Sequence, residues 1–197
     1  HSWPQEKITQ TLVMAAKRGQ RVVRLKCGDP GVFGRSTEEV DALKASGIAF
    51  EIIPGITAAC AAAASIGESL TDRGTIDTVV LTTGHRQDGY AVPEPIKDIR
   101  PGTCVALYMA VGAAPQIVDH LKTAHPGVQF DLQIAAKAQR KDQKILRCSL
   151  QDLEATLSVN KIAGEAMLFI RWPRETHQAD MPLVQSAVGR VVSMVQD

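Results

Sequence analysis

Residues 21–35 read RVVRLKCGDPGVFGR and contain the transition on which the fold prediction rests. Val22, Val23 and Leu25 form a β-branched and aliphatic run that predicts a buried strand. The run ends at Cys27–Gly31, where small residues and a proline impose a turn. Ligands of open α/β sheets lie beyond the carboxyl ends of the strands, so this turn is a candidate binding site. Taken alone, Asp-Pro-Gly favours an ordinary surface turn, and the rest of the chain decides between the two.

The segments that follow predict a parallel βαβ unit. A helix is expected from Ser36, in a capping box with Glu39, to Gly47, and Phe50–Ile53 has the composition of a second strand. Two strands joined by one helix of this length run parallel. An alanine-rich helix is expected next, over residues 57–67, and its small side chains allow it to pack closely on the sheet.

The complete pattern predicts an α/β protein with two α/β domains. Residues 1–73 are assigned to an N-terminal domain with a parallel sheet, and residues 74–197 to a C-terminal domain with a mixed sheet. A polar loop is expected at residues 84–95. The other predicted elements are helices at 5–18, 113–123, 150–159 and 182–195 and strands at 77–83, 103–109, 130–136, 144–148 and 166–172.

The composition of the 197 residues narrows the class of function. Apolar residues make up 45% and charged residues 22%, as in ordinary soluble globular proteins. A net charge of +1 and only 4% aromatic residues argue against nucleic-acid binding. The most apolar stretch, residues 57–67, is too short to span a bilayer, so no membrane association is expected.

The four cysteines show no metal-binding spacing, so no metal site is predicted. Each lies among apolar or small residues, which favours buried free thiols in a reducing compartment. A cytoplasmic location is therefore expected. These cysteines are Cys27, Cys60, Cys104 and Cys148.

Several motifs occur in an order that resembles the tetrapyrrole methylase family. The matching runs are HSWPQEKI, VVRLKCGDPGVFGR, STEEV, GIAFEIIPGIT, AACAAAASIGESLTDRG, TTGH and YM, with QIAAKAQRKDQKIL as a weaker match. The resemblance implies a cleft between two α/β domains that binds S-adenosylmethionine (SAM), a homodimer, and a small-molecule tetrapyrrole substrate. The implied reaction is C-methylation of uroporphyrinogen III to precorrin-2, in cobalamin or sirohaem synthesis, with S-adenosylhomocysteine (SAH) as the second product.

The resemblance also implies which residues contact SAM. They correspond to the family's Gly-Gly-Asp turn, a hydrophobic residue in the following loop and the Thr-Ala pair that begins the alanine-rich helix. A methionine after the fourth strand and a small residue in a later turn complete the set. In this sequence they are Cys27, Gly28, Asp29, Val32, Thr57, Ala58, Met109 and Ala138.

Four of these positions have side chains or backbone that suit such a ligand on physical grounds. Gly28 lets the backbone approach a cofactor closely, and Asp29 accepts hydrogen bonds from an ammonium or a ribose hydroxyl. Thr57 at a helix N-terminus suits a carboxylate, and Met109 offers an adaptable apolar surface. Outside this ordered context, a plain helix cap for Thr57 and a core side chain for Met109 are the commoner roles.

The sequence departs from the family pattern in three respects. Cys27 stands where the family has a glycine, at a cost of about 1 kcal/mol if that position requires positive φ. Gly31-Val32 stands where an aromatic residue more often follows the proline. The family's first strand, and an Asp and a Lys proposed for proton transfer, lie upstream of HSxPQ. We therefore assign no catalytic residue and expect impaired methyl transfer by the 197 residues. We also expect an N-terminal domain without its first strand, which leaves an exposed sheet edge that favours dimerisation.

Three other functions remain open at this point. One is a non-catalytic remnant that binds SAM or a tetrapyrrole, and another is a methyltransferase acting later on the corrin ring. A flavodoxin-like protein is disfavoured because no glycine-rich phosphate-binding motif occurs. The carboxylates of a tetrapyrrole require basic partners, and the candidates are Arg24, Arg35, Arg73 and Arg86. For each of them, a solvated surface arginine is an expectation at least as strong as a substrate contact.

Overall fold

The computed structural model describes residues 3–86 and 89–175. Three helices occupy the first part of the chain, namely α1 (Gln5–Lys17), α2 (Ser36–Ala45) and α3 (Ala58–Ile66). The later elements are β1 (Thr78–Thr83), β2 (His85–Arg86), β3 (Gly89–Tyr90), α4 (Glu94–Lys97), β4 (Thr103–Tyr108), α5 (Ala114–Ala124), β5 (Asp131–Ala136), β6 (Lys144–Cys148), α6 (Leu153–Val159) and β7 (Ala166–Trp172). Short 3₁₀ turns occur at Val111–Ala113 and Leu150–Asp152. The helix predicted at 182–195 lies outside the described residues.

Five strands form one mixed sheet in the order β1-β4-β7-β5-β6. Strands β1 and β4 are parallel, and the other neighbours are antiparallel. The predicted α/β class and the mixed sheet are confirmed. Because Ala136 at the end of β5 pairs with Ala166 at the start of β7, the carboxyl ends of β1, β4 and β5 share one edge of the sheet.

The two faces of the sheet are covered differently. Leu107, Ile134 and Leu168 point to one face and pack with apolar residues of α4, α5 and α6, including the fully buried Ile96 and Ile117. Larger side chains on this face give the main core, which excludes water from the sheet.

Helix α3 covers the opposite face through very small side chains. Ala59 and Ala62 are fully buried against Ala106, Ala135 and their neighbours on β4, β5 and β7. Alanines on both sides of this contact let the helix lie close to the strands, as the alanine-rich sequence predicts.

The strands predicted at residues 22–25 and 50–53 are not formed. Neither segment contributes to a β-ladder, and Val23 and Leu25 are 80% and 84% exposed. A strand requires a hydrogen-bonded neighbour as well as a suitable composition, and the described chain provides no ladder partner for either segment. The parallel N-terminal sheet was therefore a wrong prediction for the described residues.

Two local predictions also fail. The segment at 84–95 is not an irregular loop, since it contains the short β2–β3 hairpin and the start of α4. Cys27 and Cys60 are exposed thiols rather than buried ones, whereas Cys104 is buried and Cys148 is half-buried. Burial raises the pKa of the Cys104 thiol, as expected for an unreactive core cysteine.

Glu39 is not part of a capping box, because Arg35 in the left-handed region precedes the helix and no capping bond forms. The buried Glu39 carboxylate instead accepts hydrogen bonds from Gln5 (2.8 Å) and Arg24 (3.2 Å) and lies 3.1 Å from Lys26 Nζ. This cluster joins α1, α2 and the segment before the Cys27 turn. Burial opposes ionisation, but the hydrogen bonds and the two cations outweigh it, so the pKa of Glu39 is lowered.

We expect Glu39→Gln to lower the free energy of unfolding by about 1–3 kcal/mol at neutral pH, because the half-buried Lys26 and the more exposed Arg24 lose the buried carboxylate with which they pair. Because the pKa of Glu39 is lowered in the folded state, its carboxylate stabilises the protein at pH values above its ordinary pKa of 4.5. This stabilisation is lost as the pH falls through the folded-state pKa. The difference from wild type should therefore shrink below pH 4.5 in urea denaturation experiments.

Glu38→Gln is the matched control, because Glu38 belongs to the same helix but forms a half-exposed pair with Arg35. We expect this control to cost less than about 1 kcal/mol. Equal effects of the two substitutions would contradict the role assigned to the Glu39 cluster.

Candidate functional site

A cavity of about 600 Å³ opens at the edge of the sheet where the carboxyl ends of β4 and β5 meet the start of α3. This is the position at which open α/β sheets bind ligands. All eight residues that the sequence motifs single out line this one cavity: Cys27, Gly28, Asp29, Val32, Thr57, Ala58, Met109 and Ala138.

The turn at one wall of the cavity is held by backbone contacts of Asp29. One carboxylate oxygen accepts the Gly31 amide at 2.7 Å and the other accepts the Gly55 amide at 3.0 Å. A β-carbon on Gly55 would lie 2.3 Å from the Gly28 carbonyl, so only glycine permits this close approach. The amides of Gly55 and then Gly31 lower the pKa of Asp29, which keeps it an acceptor over a wide pH range.

Cys27 fits this turn without backbone strain. Gly28 has φ of 74°, but Cys27 is not among the described residues with positive φ. The cost that a β-carbon would bring in the left-handed region therefore does not arise at Cys27. Its exposed thiol lines the cavity, so the departure from glycine changes the shape of the wall.

Tyr108 connects the cavity to the first turn of α3. Thr57 is the N-cap residue, as predicted, but its hydroxyl bonds to the Tyr108 hydroxyl at 2.5 Å rather than to the helix backbone. The Tyr108 hydroxyl also accepts the Ala59 amide at 3.2 Å, and the Phe33 ring packs 4.6 Å from the Tyr108 ring. The sequence motif contains Tyr108, but its role depends on a contact between distant residues.

Three of the six described non-glycine residues with positive φ line the cavity. Phe33, Met109 and Lys137 line it and have positive φ values of 51°, 48° and 51°. Such conformations cost free energy in residues with a β-carbon and occur most often at binding and catalytic sites.

The arginines proposed for substrate carboxylates lie mostly elsewhere. Arg24 and Arg35 each bond to a glutamate of α2, and Arg73 lies exposed in the turn before β1; none of these three is among the residues that line the cavity. Arg86 belongs to β2, next to His85, which does line it.

Two basic residues that the sequence reasoning missed do line the cavity. Lys137 Nζ forms an ion pair with Asp142 Oδ2 at 2.5 Å, and Arg140 Nη1 forms one with Glu165 Oε2 at 2.8 Å. Both pairs are exposed to solvent, so they are readily exchanged for an anionic ligand. Their positions in the turn after β5 gave no signal in the sequence beyond the weak QIAAKAQRKDQKIL match.

The described residues contain no cluster of three or more side chains suited to a metal ion. In the same part of the chain, no helix combines the length and the apolar character needed to cross a membrane.

A sheet with a ligand-sized cleft at the carboxyl ends of its strands defines an α/β protein built to hold a small molecule. Comparison with known proteins identifies the family: the model of the tetrapyrrole (corrin/porphyrin) methylases matches residues 1–154. The chain belongs to this family.

Individual relatives agree with this assignment. A siroheme synthase of Gluconacetobacter diazotrophicus is 37% identical over 86% of the chain, which spans only 36% of that protein. A cobalt precorrin-4 methyltransferase superposes with a TM-score of 0.77 and 28% identity, covering 87% of this chain and 72% of that one. The uroporphyrin-III C-methyltransferase of Thermus thermophilus, solved with S-adenosylhomocysteine, superposes with a TM-score of 0.69 and 26% sequence identity. The superposition covers 85% of this chain and 73% of that one.

We expect Tyr108→Phe to lower the free energy of unfolding by about 1–3 kcal/mol, because the buried Ala59 amide loses its acceptor. Chemical denaturation measures this change. Tyr90→Phe is the matched control, since Tyr90 also lines the cavity but is 53% exposed and its hydroxyl has access to water. A cost for Tyr108→Phe no larger than that of the control would contradict the role of the hydroxyl.

Proposed function

We propose that this chain binds SAM in the cavity and takes part in the C-methylation of uroporphyrinogen III to precorrin-2. The observation that carries the proposal is the convergence on one cavity of eight residues that are far apart in sequence. The kinship to a siroheme synthase and the likeness to a uroporphyrin-III C-methyltransferase support the substrate.

The residues around the cavity fit the chemistry of SAM. When bound, SAM supplies an electrophilic methyl group on a positively charged sulfur. The exposed backbone at Gly28 and the first turn of α3 after Thr57 offer hydrogen-bonding groups for the amino-acid part of the cofactor. Met109 and Val32 offer apolar surface for the remainder.

In this proposal, Asp29 mainly holds the turn rather than accepting hydrogen bonds from the cofactor. Both of its oxygens already accept backbone amides, so its main task is to hold the turn in a conformation that exposes the Gly28 backbone. Its negative charge at the wall also favours a cationic cofactor.

A methyltransferase acting later on the corrin ring is the second candidate. The cobalt precorrin-4 methyltransferase supports it with a TM-score of 0.77. Both candidates use the same cofactor in the same type of cleft, so they differ only in the tetrapyrrole that is accepted. A chain that binds SAM or a tetrapyrrole without turnover is the third.

We also infer a cytoplasmic homodimer in which the cleft lies between the domains assigned to residues 1–73 and 74–197. Free exposed thiols at Cys27 and Cys60 suit a reducing compartment. The exposed Val23, Leu25 and Ile53 form apolar surface of the kind that a second chain covers. Sedimentation of the purified chain as a monomer at all concentrations would contradict the dimer.

Isothermal titration with SAH tests the cofactor site. We expect wild type to bind it and Gly28→Ala to bind about tenfold more weakly, since the new methyl group enters the space between the turn and the start of α3. Gly19→Ala is the matched control, because Gly19 has a similar φ of 76° but no atom within 4 Å of the new methyl group. Equal affinities of all three proteins would contradict the proposed site.

Anaerobic incubation with SAM and a tetrapyrrole tests the reaction. Release of SAH with uroporphyrinogen III supports the first proposal, whereas release only with a later corrin precursor supports the second. SAH binding without turnover of either substrate supports a chain that binds without catalysing.

A further inference from the structure

One part of the cavity wall has no role in the proposed cofactor site. The eight residues assigned to SAM come from the turns after residue 26, the start of α3 and the ends of β4 and β5. The remaining wall includes His85 and Tyr90 of the β2–β3 hairpin and Val111 and Gly112 of the 3₁₀ turn after β4. These residues therefore face the part of the cavity that remains for a second ligand.

Tyr90 lies directly against the backbone of Gly112. A β-carbon on Gly112 would come within 2.4–2.7 Å of three atoms of the Tyr90 ring, so a larger residue at this position would displace the ring from its place against the backbone. Gly112 is not among the glycines with positive φ, unlike Gly19 or Gly28. The backbone conformation does not require glycine here, but the absence of a β-carbon allows the Tyr90 ring to approach the backbone this closely.

A second contact holds the same ring from the side. His85 and Tyr90 are paired across the β2–β3 hairpin, and their rings meet edge to face at 5.1 Å and 83°. The Tyr90 side chain nevertheless remains 53% exposed beside the cavity. An aromatic ring that is supported by backbone and by a second ring, yet open to a cavity, offers a preorganised stacking surface.

We propose that Tyr90 is a substrate-positioning residue on which a pyrrole ring of the tetrapyrrole packs. This inference rests on the proposed function, because it assigns the tetrapyrrole to the part of the cavity that SAM leaves open. Gly112 makes the position of the Tyr90 ring possible, and His85 fixes its orientation. Flat aromatic rings such as pyrroles pack favourably on aromatic side chains in offset or edge-to-face arrangements.

Two affinities of each variant test the assignment. Uroporphyrin III, the oxidised form of the proposed substrate, is titrated by its own fluorescence, and SAH by calorimetry. We expect Tyr90→Ala to weaken uroporphyrin III binding about tenfold and to leave the SAH affinity within about twofold of wild type. Tyr90→Phe keeps the stacking surface, so it should bind both ligands like wild type.

Gly112→Ala provides an independent variant, because it displaces the Tyr90 ring without removing it. We expect the same selective loss of uroporphyrin III affinity, with thermal denaturation confirming that each variant is folded. Unchanged uroporphyrin III affinity in Tyr90→Ala, or an equal loss of affinity for both ligands, would overturn the assignment. A wild-type chain that binds neither ligand would instead overturn the proposed function, and one that binds SAH alone would overturn the tetrapyrrole part of both proposals.

Discussion

The packing of α3 on the sheet is the constraint on which the rest of the structure depends. Ala59 and Ala62 bring the helix into close contact with β4, β5 and β7. The Tyr108 hydroxyl binds its first turn, and Glu68, just beyond its end, accepts hydrogen bonds from Gln133 at 2.9 Å and from the nearly buried Arg171 at 3.3 Å. With both ends attached to the sheet, the helix cannot slide along it without leaving buried polar groups unpaired.

This attachment determines where the cleft lies. The backbone before α3 approaches the Cys27 turn so closely that a β-carbon on Gly55 would lie 2.3 Å from the Gly28 carbonyl oxygen. The sheet supplies the opposite wall, where Met109 and Lys137 have left-handed backbone conformations. Each costs roughly 1–3 kcal/mol and is retained only because the buried strands beneath over-determine the geometry. Strain at the cleft and close packing beneath it are thus two consequences of one arrangement.

The sequence predicts the C-terminal half well because its strands find their partners within the chain. The apolar runs at 103–109 and 166–172 pair with each other, so composition alone suffices. The runs at 22–25 and 50–53 have the same composition, but a ladder depends on a neighbouring strand, which composition does not encode. The same limit applies to side chains: a motif identifies Met109, whereas the roles of Tyr108 and Tyr90 come from contacts between distant residues.

Because residues 22–25 form no β-ladder, other contacts position the Cys27 turn. In a regular α/β sheet, the hydrogen bonds of the strand would fix the turn that follows it. Here the segment before the turn is held by Lys26, which contacts the Glu39 carboxylate and donates a hydrogen bond to the Gly34 carbonyl at 2.5 Å. The turn itself is held by Asp29, which reaches the Gly55 amide of the neighbouring segment. The carboxylates of Glu39 and Asp29 therefore position this turn in place of ladder hydrogen bonds. Both have lowered pKa values, because the contacts that hold the wall favour the ionised carboxylates, so the geometry of the wall depends on their remaining ionised.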